Sequence, residues 1–371
     1  MRRVLFVGRT RYSSPLAVTH ARKFNAVGAV LDYRVLGSAA RGSATPPERF
    51  SLVRPLPLRS LDGPAFYLRL PFLIARELRT FHPDALIAQS PYEGLAALLG
   101  RRFARSRAKV IVEIHGDWHT ATRLYGSPLR ASLAPLADRA ASLAVRRADA
   151  VRTVSEFTAG LVRRLGVEPT AIFHTYTEIG AFVAGEVQPL PSEARLAFVG
   201  VAERYKNIDG LAAAWRLATP RLPGVTLELV SDGTRSNVVE ELVHDVPEQT
   251  VWHRRLEPTE IAALLDRSWA LVLPSFSEGL PRVAIESLAR GRPVVGSRAG
   301  GIPDAVTDGE NGLLVPPGDA QALADALVRL ASDRELAERL AAGARPSAEG
   351  LLTPPDEYAR RVADLVERAC A

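Results

Sequence analysis

The chain has 371 residues, 47% of them hydrophobic and 24% charged, with a formal net charge of +6. That composition excludes a wholly disordered chain, and no apolar run approaches the roughly 20 residues of a membrane-spanning helix. The single cysteine, Cys370, excludes an internal disulfide framework and a cysteine-based zinc site, and the seven histidines show no HExxH-like pairing that would suggest a metal cage.

Taken in chain order, the opening stretch Met1 to Arg9 reads as a buried first strand over Val4–Val7. Its apolar run is too short for a signal peptide, which points to a cytoplasmic location. Further buried strands are predicted at Ala85–Ala88, Val110–Ile114 and Ala150–Val154, with helical patterns at Pro71–Thr80, Glu93–Arg105 and Leu129–Arg147. Strand and helix alternation implies a parallel sheet covered on both faces. The segment 179–193 lacks a period, carries Gly185, Pro189 and Pro191, and reads as a linker.

The alternation then restarts. Strands are predicted at Arg195–Val199, Val225–Val230, Ala270–Leu273 and Pro293–Val295, and helices at Asn207–Leu217 and Pro258–Asp266. A last helix follows Pro354-Pro355, from about Asp356 to Ala369. The fold class expected is α/β, with two doubly wound Rossmann-like domains facing a central cleft. The first spans 1–178, the second 194–350, and residues 351–371 pack back toward the first. Ligands of such folds bind at the carboxyl ends of the strands.

Charge is uneven along the chain. Residues 1–190 hold 27 Lys and Arg against 14 Asp and Glu, whereas the remainder holds 20 against 27. A basic first half suits an anionic partner such as a lipid headgroup or a phosphorylated acceptor. Attraction between the two halves accounts for it equally well. No nucleic-acid reader motif accompanies the charge, so nucleic acid is not an expected partner.

The stretch with most chemical content is Pro274 to Glu286. It follows a predicted strand and opens a helix over Pro281–Arg290, with Pro281 at the first helical position and Gly291 just past the end. A helix N-terminus aimed at a strand's carboxyl end favours a diphosphate. Gly279 lets backbone approach a ligand. Glu278 falls in the loop and Glu286 in the helix. A carboxylate can accept from both hydroxyls of a sugar diol. The plain alternative is an acid near a helix start plus a solvated surface acid.

The run Glu278-x7-Glu286, then Gly291-Arg292-Pro293-Val294-Val295-Gly296, Gly300-Gly301 and Asp308-Gly309-Glu310-Asn311-Gly312, resembles the donor-binding half of retaining nucleotide-sugar glycosyltransferases. These are the family-four-like, group 1 enzymes of the GT-B fold. Phe198-Val199-Gly200 leading to Tyr205-Lys206-Asn207, Val112 to Asp117, and Ala148 to Phe157 resemble further segments of that family.

The resemblance implies a role for each matched residue. Glu286 would hold the nucleotide ribose. Glu278 would lie near the transferred sugar, with the backbone at Gly279, Leu280 and Pro281 on its hydroxyls. Arg282 and Val283 would offer N–H groups to the diphosphate, and Lys206 a positive charge. His115 would contact the donor sugar, and Gly200 and Gly8 would let loops approach. Read without the family, Lys206 is an exposed helix-start lysine, His115 a structural histidine and Gly8 a tight turn closing the first strand.

Two departures stand out. Val201 occupies a position where the family places arginine, and Arg204 is the candidate replacement. The first loop, Arg9-Thr10-Arg11-Tyr12-Ser13-Ser14, lacks paired glycines, so Arg9 and Arg11 become candidates for an anionic acceptor or phosphate, or form a solvated basic loop.

The implied reaction is a metal-independent, retaining sugar transfer from a UDP- or GDP-sugar to a hydroxyl acceptor, with no cofactor beyond the donor. Base contacts would fall near Arg254–Leu256. Alternatives are a non-catalytic nucleotide-sugar-binding subunit, which Val201 keeps open, and a nucleotide-sugar epimerase. The arginines of Leu129–Arg147 and the cluster Arg101, Arg102, Arg105, Arg107 and Lys109 would suit peripheral binding to an anionic membrane and a lipid-linked acceptor. They equally suit core helices with arginine on the wet face.

Overall fold

The computed structural model describes residues 1–42, 47–120 and 128–371. Two units emerge from the way the chain packs. One comprises the described residues up to Glu178 together with Thr353–Ala371, and the other Ile179–Leu352.

The first domain is built on β1 (Arg3–Tyr12), β2 (Asp32–Ala39), β3 (Phe50–Val53), β4 (Ala85–Ala88), β5 (Lys109–Ile114), β6 (Ala150–Thr153) and β7 (Ala171–Ile172), all parallel, in the order β3-β2-β1-β4-β5-β6-β7. Val4, Leu5, Phe6 and Val7 are no more than 1% exposed, because a central parallel strand is covered on both faces. β1 does not close at Gly8 as the glycine suggests. Its register on β2 shifts between Val7 and Arg11 and then resumes through Tyr12, so most of the expected basic loop is strand. Tyr12 is buried in an aromatic cluster with Phe24 and Phe50, and that burial holds the extension in place.

The final helix, Pro355–Cys370, belongs to this domain. Pro355 occupies its first turn, where a missing N–H costs nothing. Tyr358, Val362, Leu365 and Val366 join Phe6, Phe24 and Tyr33 in one core.

The second domain repeats the plan with β8 (Arg195–Val199), β9 (Thr226–Val230), β10 (Thr250–His253), β11 (Ala270–Leu273), β12 (Val294–Ser297) and β13 (Gly312–Val315), in the order β10-β9-β8-β11-β12-β13. Each sheet thus runs outward from its first strand in both directions, and reverses between β1 and β4 or between β8 and β11. Such switch points leave a crevice at the strands' carboxyl ends. The expected linker over 179–193 is instead structured against this domain. Gly180–Val183 forms a short helix, and Phe182 and Leu190 are buried in its core. Arg292 donates to the Gln188 and Pro189 carbonyls, satisfying a stretch that has no regular pattern of its own.

Candidate active site

The second domain's switch point gathers most of the predicted residues. Gly200 follows β8 directly, and a Cβ there would lie 3.4 Å from the Lys206 Cε, so glycine leaves room for the lysine stem. A 3-10 turn over Arg204–Lys206 ends at Asn207, whose φ is 54° and whose side chain accepts from the Gly210 N–H at 3.1 Å. That cap starts the helix Ile208–Ala218 and fixes Lys206 just ahead of it. Lys206 is buried, not an exposed helix-start lysine. Its ammonium donates to Glu278 Oε1 at 2.6 Å. Ser275 Oγ donates to the same oxygen at 2.9 Å, and the Phe276 N–H donates to the Tyr205 carbonyl at 2.8 Å. The loops after β8 and β11 are therefore stitched together at the switch point.

The helix after β11 runs Arg282–Ala289. Pro281 is its N-cap in extended conformation, one place earlier than expected, so Arg282 and Val283 open the first turn. The first four N–H groups of a helix have no partner within it. Gly291, at φ 69°, ends the helix as expected. Glu286 lies 6% exposed on this helix, and Arg282 Nε donates to its Oε1 at 2.6 Å. Burial pushes the Glu286 carboxyl above its ordinary value, against the pull of Arg282 and Lys206. A carboxylate held this way can accept from a pair of hydroxyls, and a poorly solvated acceptor gains more from such direct partners than one already hydrated by water.

Gly300 supports this arrangement from behind. Its φ is 57°, and a Cβ would meet the Glu278 carbonyl oxygen at 2.4 Å. The Gly301 N–H donates to that same carbonyl at 2.8 Å. The Gly300-Gly301 pair thus sets the height of the Glu278-Gly279-Leu280 loop. Arg204 is exposed and its guanidinium forms no ion pair among the described residues, whereas Val201 is 46% exposed. Arg254 is engaged by Asp232 and Glu240 and lies over the Trp252 ring at 4.4 Å.

The first domain's candidates are arranged differently. Gln89 crosses Gly8 so closely that a Cβ there would meet its side-chain oxygen at 1.9 Å, and Thr10 Oγ1 donates to that oxygen at 2.7 Å. Arg9 and Arg11 pair with Asp62 of the helix Arg59–Thr80 at 2.9 and 3.6 Å. The Leu56 N–H and Arg9 hold the Asp62 carboxyl below its usual value. Both arginines are thus partly neutralised within the domain.

His115 follows β5, with Nε2 3.2 Å from Glu113 Oε2 and Nδ1 3.4 Å from Thr175 Oγ1. Behind it lies a buried network that no sequence motif announces. Arg152, fully buried, donates to Glu113 Oε1 at 2.7 Å and to the Phe173 carbonyl at 2.7 Å, and lies 4.1 Å over the Phe173 ring. Burial alone would raise the Glu113 carboxyl, but Arg152 and His115 hold it well below the carboxylate range. The signal was present: Glu113 interrupts the apolar run of β5 after Lys109 opens it, Arg152 is the one charge of β6, and their register sets the two opposite each other. Thr10, Lys23, Gln89, Glu113, His115 and Thr175 line a cavity of about 320 Å³ at this domain's strand ends.

Among the described residues no group of three or more His, Cys, Asp or Glu is placed to hold a metal ion, and no helix is long and apolar enough to cross a membrane.

Comparison with known proteins supplies the family. Residues 193–333 match the model of the glycosyl transferases group 1, and residues 22–177 that of glycosyltransferase family 4. A glycogen synthase of Mycobacterium tuberculosis is 37% identical over 161 residues, 43% of this chain and 39% of that protein. A D-inositol 3-phosphate glycosyltransferase of Corynebacterium glutamicum is 33% identical over 153 residues, 39% of this chain and 37% of that protein. The aligned stretch thus spans about two-fifths of these curated relatives.

Among solved structures, the sucrose-phosphate synthase of Thermosynechococcus elongatus superimposes with a TM-score of 0.79 at 20% identity, covering 99% of both chains. Anabaena HepE, solved in complex with UDP-glucose, gives 0.70 at 18% identity, covering 99% of this chain and 100% of that one. These likenesses identify the two Rossmann-like domains as a GT-B fold. With two family models spanning most of its length and the motif residues assembled at the switch point, the chain belongs to glycosyltransferase family 4, the group 1 glycosyltransferases.

Proposed function

We propose that the protein is a retaining glycosyltransferase that moves a sugar from a nucleoside diphosphate sugar to a hydroxyl acceptor. The observation that carries this is the pairing of buried Lys206 with Glu278 across the loops of the second domain's switch point, beside the Glu286 carboxylate and a helix N-terminus. In the reaction the bond from the anomeric carbon to the diphosphate oxygen breaks. The acceptor hydroxyl bonds to that carbon on the same face, and its proton passes to the departing phosphate oxygen. Lys206 stabilises the charge building there, in a site where low solvent access strengthens the attraction. Without donor, Glu278 neutralises Lys206. The diphosphate competes for that ammonium and frees Glu278 for the sugar hydroxyls.

Glu286 accepts the two ribose hydroxyls, with Arg282 giving way to them. The N–H groups of the first turn at Arg282 and Val283 face the diphosphate, and Arg204 supplies a second positive charge in place of the arginine absent at Val201. The backbone at Gly279, Leu280 and Pro281 serves the sugar, and His115→Ala tests the remaining assignment. UDP is the favoured donor base, supported by a fold neighbour solved with UDP-glucose. For the acceptor we favour a hydroxyl compound bearing an anionic or lipid group, in keeping with the basic first domain. It belongs to polysaccharide, glycolipid or glycosylated-metabolite synthesis.

A thermal-shift panel of UDP-, GDP-, ADP- and TDP-sugars tests the donor reading, since saturating ligand raises the midpoint by mass action. One nucleotide should stand out and should be hydrolysed slowly without acceptor. No shift with any of them would remove the proposal. Val201 favours a second reading, a nucleotide-sugar-binding subunit without catalysis, which would show the shift and no hydrolysis.

A further inference from the structure

Three helices of the first domain carry a surface that the transfer reaction does not use. Arg59–Thr80 packs along Pro91–Ala104, so closely that a Cβ at Gly100 would meet Ile74 and the Pro71 carbonyl within 2.8 Å. Pro91–Ala104 in turn packs against Pro128–Arg147. The inward face of the first helix buries Phe66, Leu70, Ile74 and Leu78. Its outward face is apolar as well. Leu61, Leu68 and Phe72, spaced seven and four apart, fall on one stripe and are 53%, 75% and 67% exposed. Phe103 of the next helix stacks on Phe72 with ring centroids 5.4 Å apart, and Leu136 of the third helix is 66% exposed. A soluble surface does not ordinarily gather large apolar side chains in this way.

The charges around the stripe have one sign. Arg69, Arg76, Arg102, Arg139 and Arg146 are exposed on these helices. The acids of the same helices are all withdrawn. Asp62 accepts from Arg9 and the Leu56 N–H, Glu77 from Arg34 and Ser51, Glu93 from Tyr67, and Asp138 pairs with His119. The final helix of the same domain provides the contrast. Its exposed face mixes Asp356, Arg360, Asp364, Glu367 and Arg368, and its apolar residues face the core. The final helix thus lacks the one-signed, apolar-studded face that the three-helix layer presents.

We propose that this layer docks on the surface of an anionic lipid bilayer. Leu68, Phe72 and Phe103 enter the boundary between headgroups and acyl chains, and the surrounding arginines engage the lipid phosphates. The arginine rim is what selects this occupant. A second copy seated on the same face would set arginine against arginine with no acid to answer them, whereas an anionic bilayer supplies both the apolar depth and the opposite charge.

Flotation with vesicles of phosphatidylglycerol and phosphatidylcholine, against vesicles of phosphatidylcholine alone, tests it. The full chain should float with the anionic vesicles only, and less at high salt. Leu68→Ser with Phe72→Ser should weaken binding at least roughly tenfold, and Arg69→Glu with Arg102→Glu should weaken it by roughly fivefold or more for each charge removed. Both variants touch exposed side chains and should keep the wild-type melting midpoint and its shift with nucleotide sugar, which separates this test from that of the transferase reading. Equal flotation of wild type and both variants, or none with anionic vesicles, would overturn the proposal. So would a dimer in sedimentation velocity that Phe72→Ser dissolves.

Discussion

The two domains share one strand order and place their buried charges differently around the carboxyl ends of their strands. In the second domain, Lys206, Glu278 and Glu286 sit in a turn, a loop and a helix that follow the strands, held by glycines and by short hydrogen bonds. In the first domain the buried pair Glu113 and Arg152 lies inside β5 and β6, next to the switch-point strands, and its charges neutralise one another beneath His115. Doubly wound topology supplies a crevice in either case. Whether the crevice meets a ligand with charge to offer depends on whether the charged side chains stand past the strand ends or within them.

The largest expected effect tests the structural side of that contrast. Glu113→Gln leaves Arg152 buried with no full counter-charge and should cost about 3–5 kcal/mol of stability, read by denaturant unfolding. The increment in melting midpoint given by nucleotide sugar should survive. A carboxyl whose folded-state pKa is depressed contributes stability above its unfolded pKa and loses it as pH falls through the lower folded value. The gap between wild type and Glu113→Gln should therefore persist at neutral pH and narrow only on strong acidification.

Lys206→Ala tests the catalytic side. It should lower kcat roughly 100- to 1000-fold, about 2.7–4 kcal/mol of transition-state stabilisation. If instead the rate fell no further than with a surface lysine removed, the contrast would fail. Gly300→Ala should cost about 1–3 kcal/mol of stability and raise the donor KM, because the new methyl displaces the Glu278 backbone. Arg204→Ala should have the smallest effect, a rise of roughly fivefold or less in donor KM, since an exposed charge acts through water. An unchanged enzyme would remove Arg204 as the substitute for arginine at Val201.

The central strands were legible because burial on both faces demands unbroken apolar runs, as in Val4–Val7 and Ala270–Leu273. The edge strands β3, β7, β10 and β13 and the neighbouring β2 were not predicted. β2 is broken by Asp32 and Arg34, and β10 by Thr250 and His253, since strands near an edge need less apolar cover. The end of β1 was misread because Gly8 resembles a turn, whereas Tyr12 is buried by aromatics far along the chain. At the site, the spacing of Glu278 and Glu286 pointed to their place. The burial of Lys206 did not show, because its partner lies 72 residues away.

The most direct measurement is calorimetric titration of UDP-glucose into wild type and Glu286→Ala. The carboxylate is already buried and its pKa is raised, so removing it should abolish measurable donor binding while the melting midpoint of the free protein holds or rises. Wild-type protein should also bind more weakly as acidification protonates Glu286, beginning above the pH at which an ordinary glutamate titrates. Undiminished affinity in Glu286→Ala, with the same pH dependence, would contradict the assignment of the second domain's switch point as the donor site.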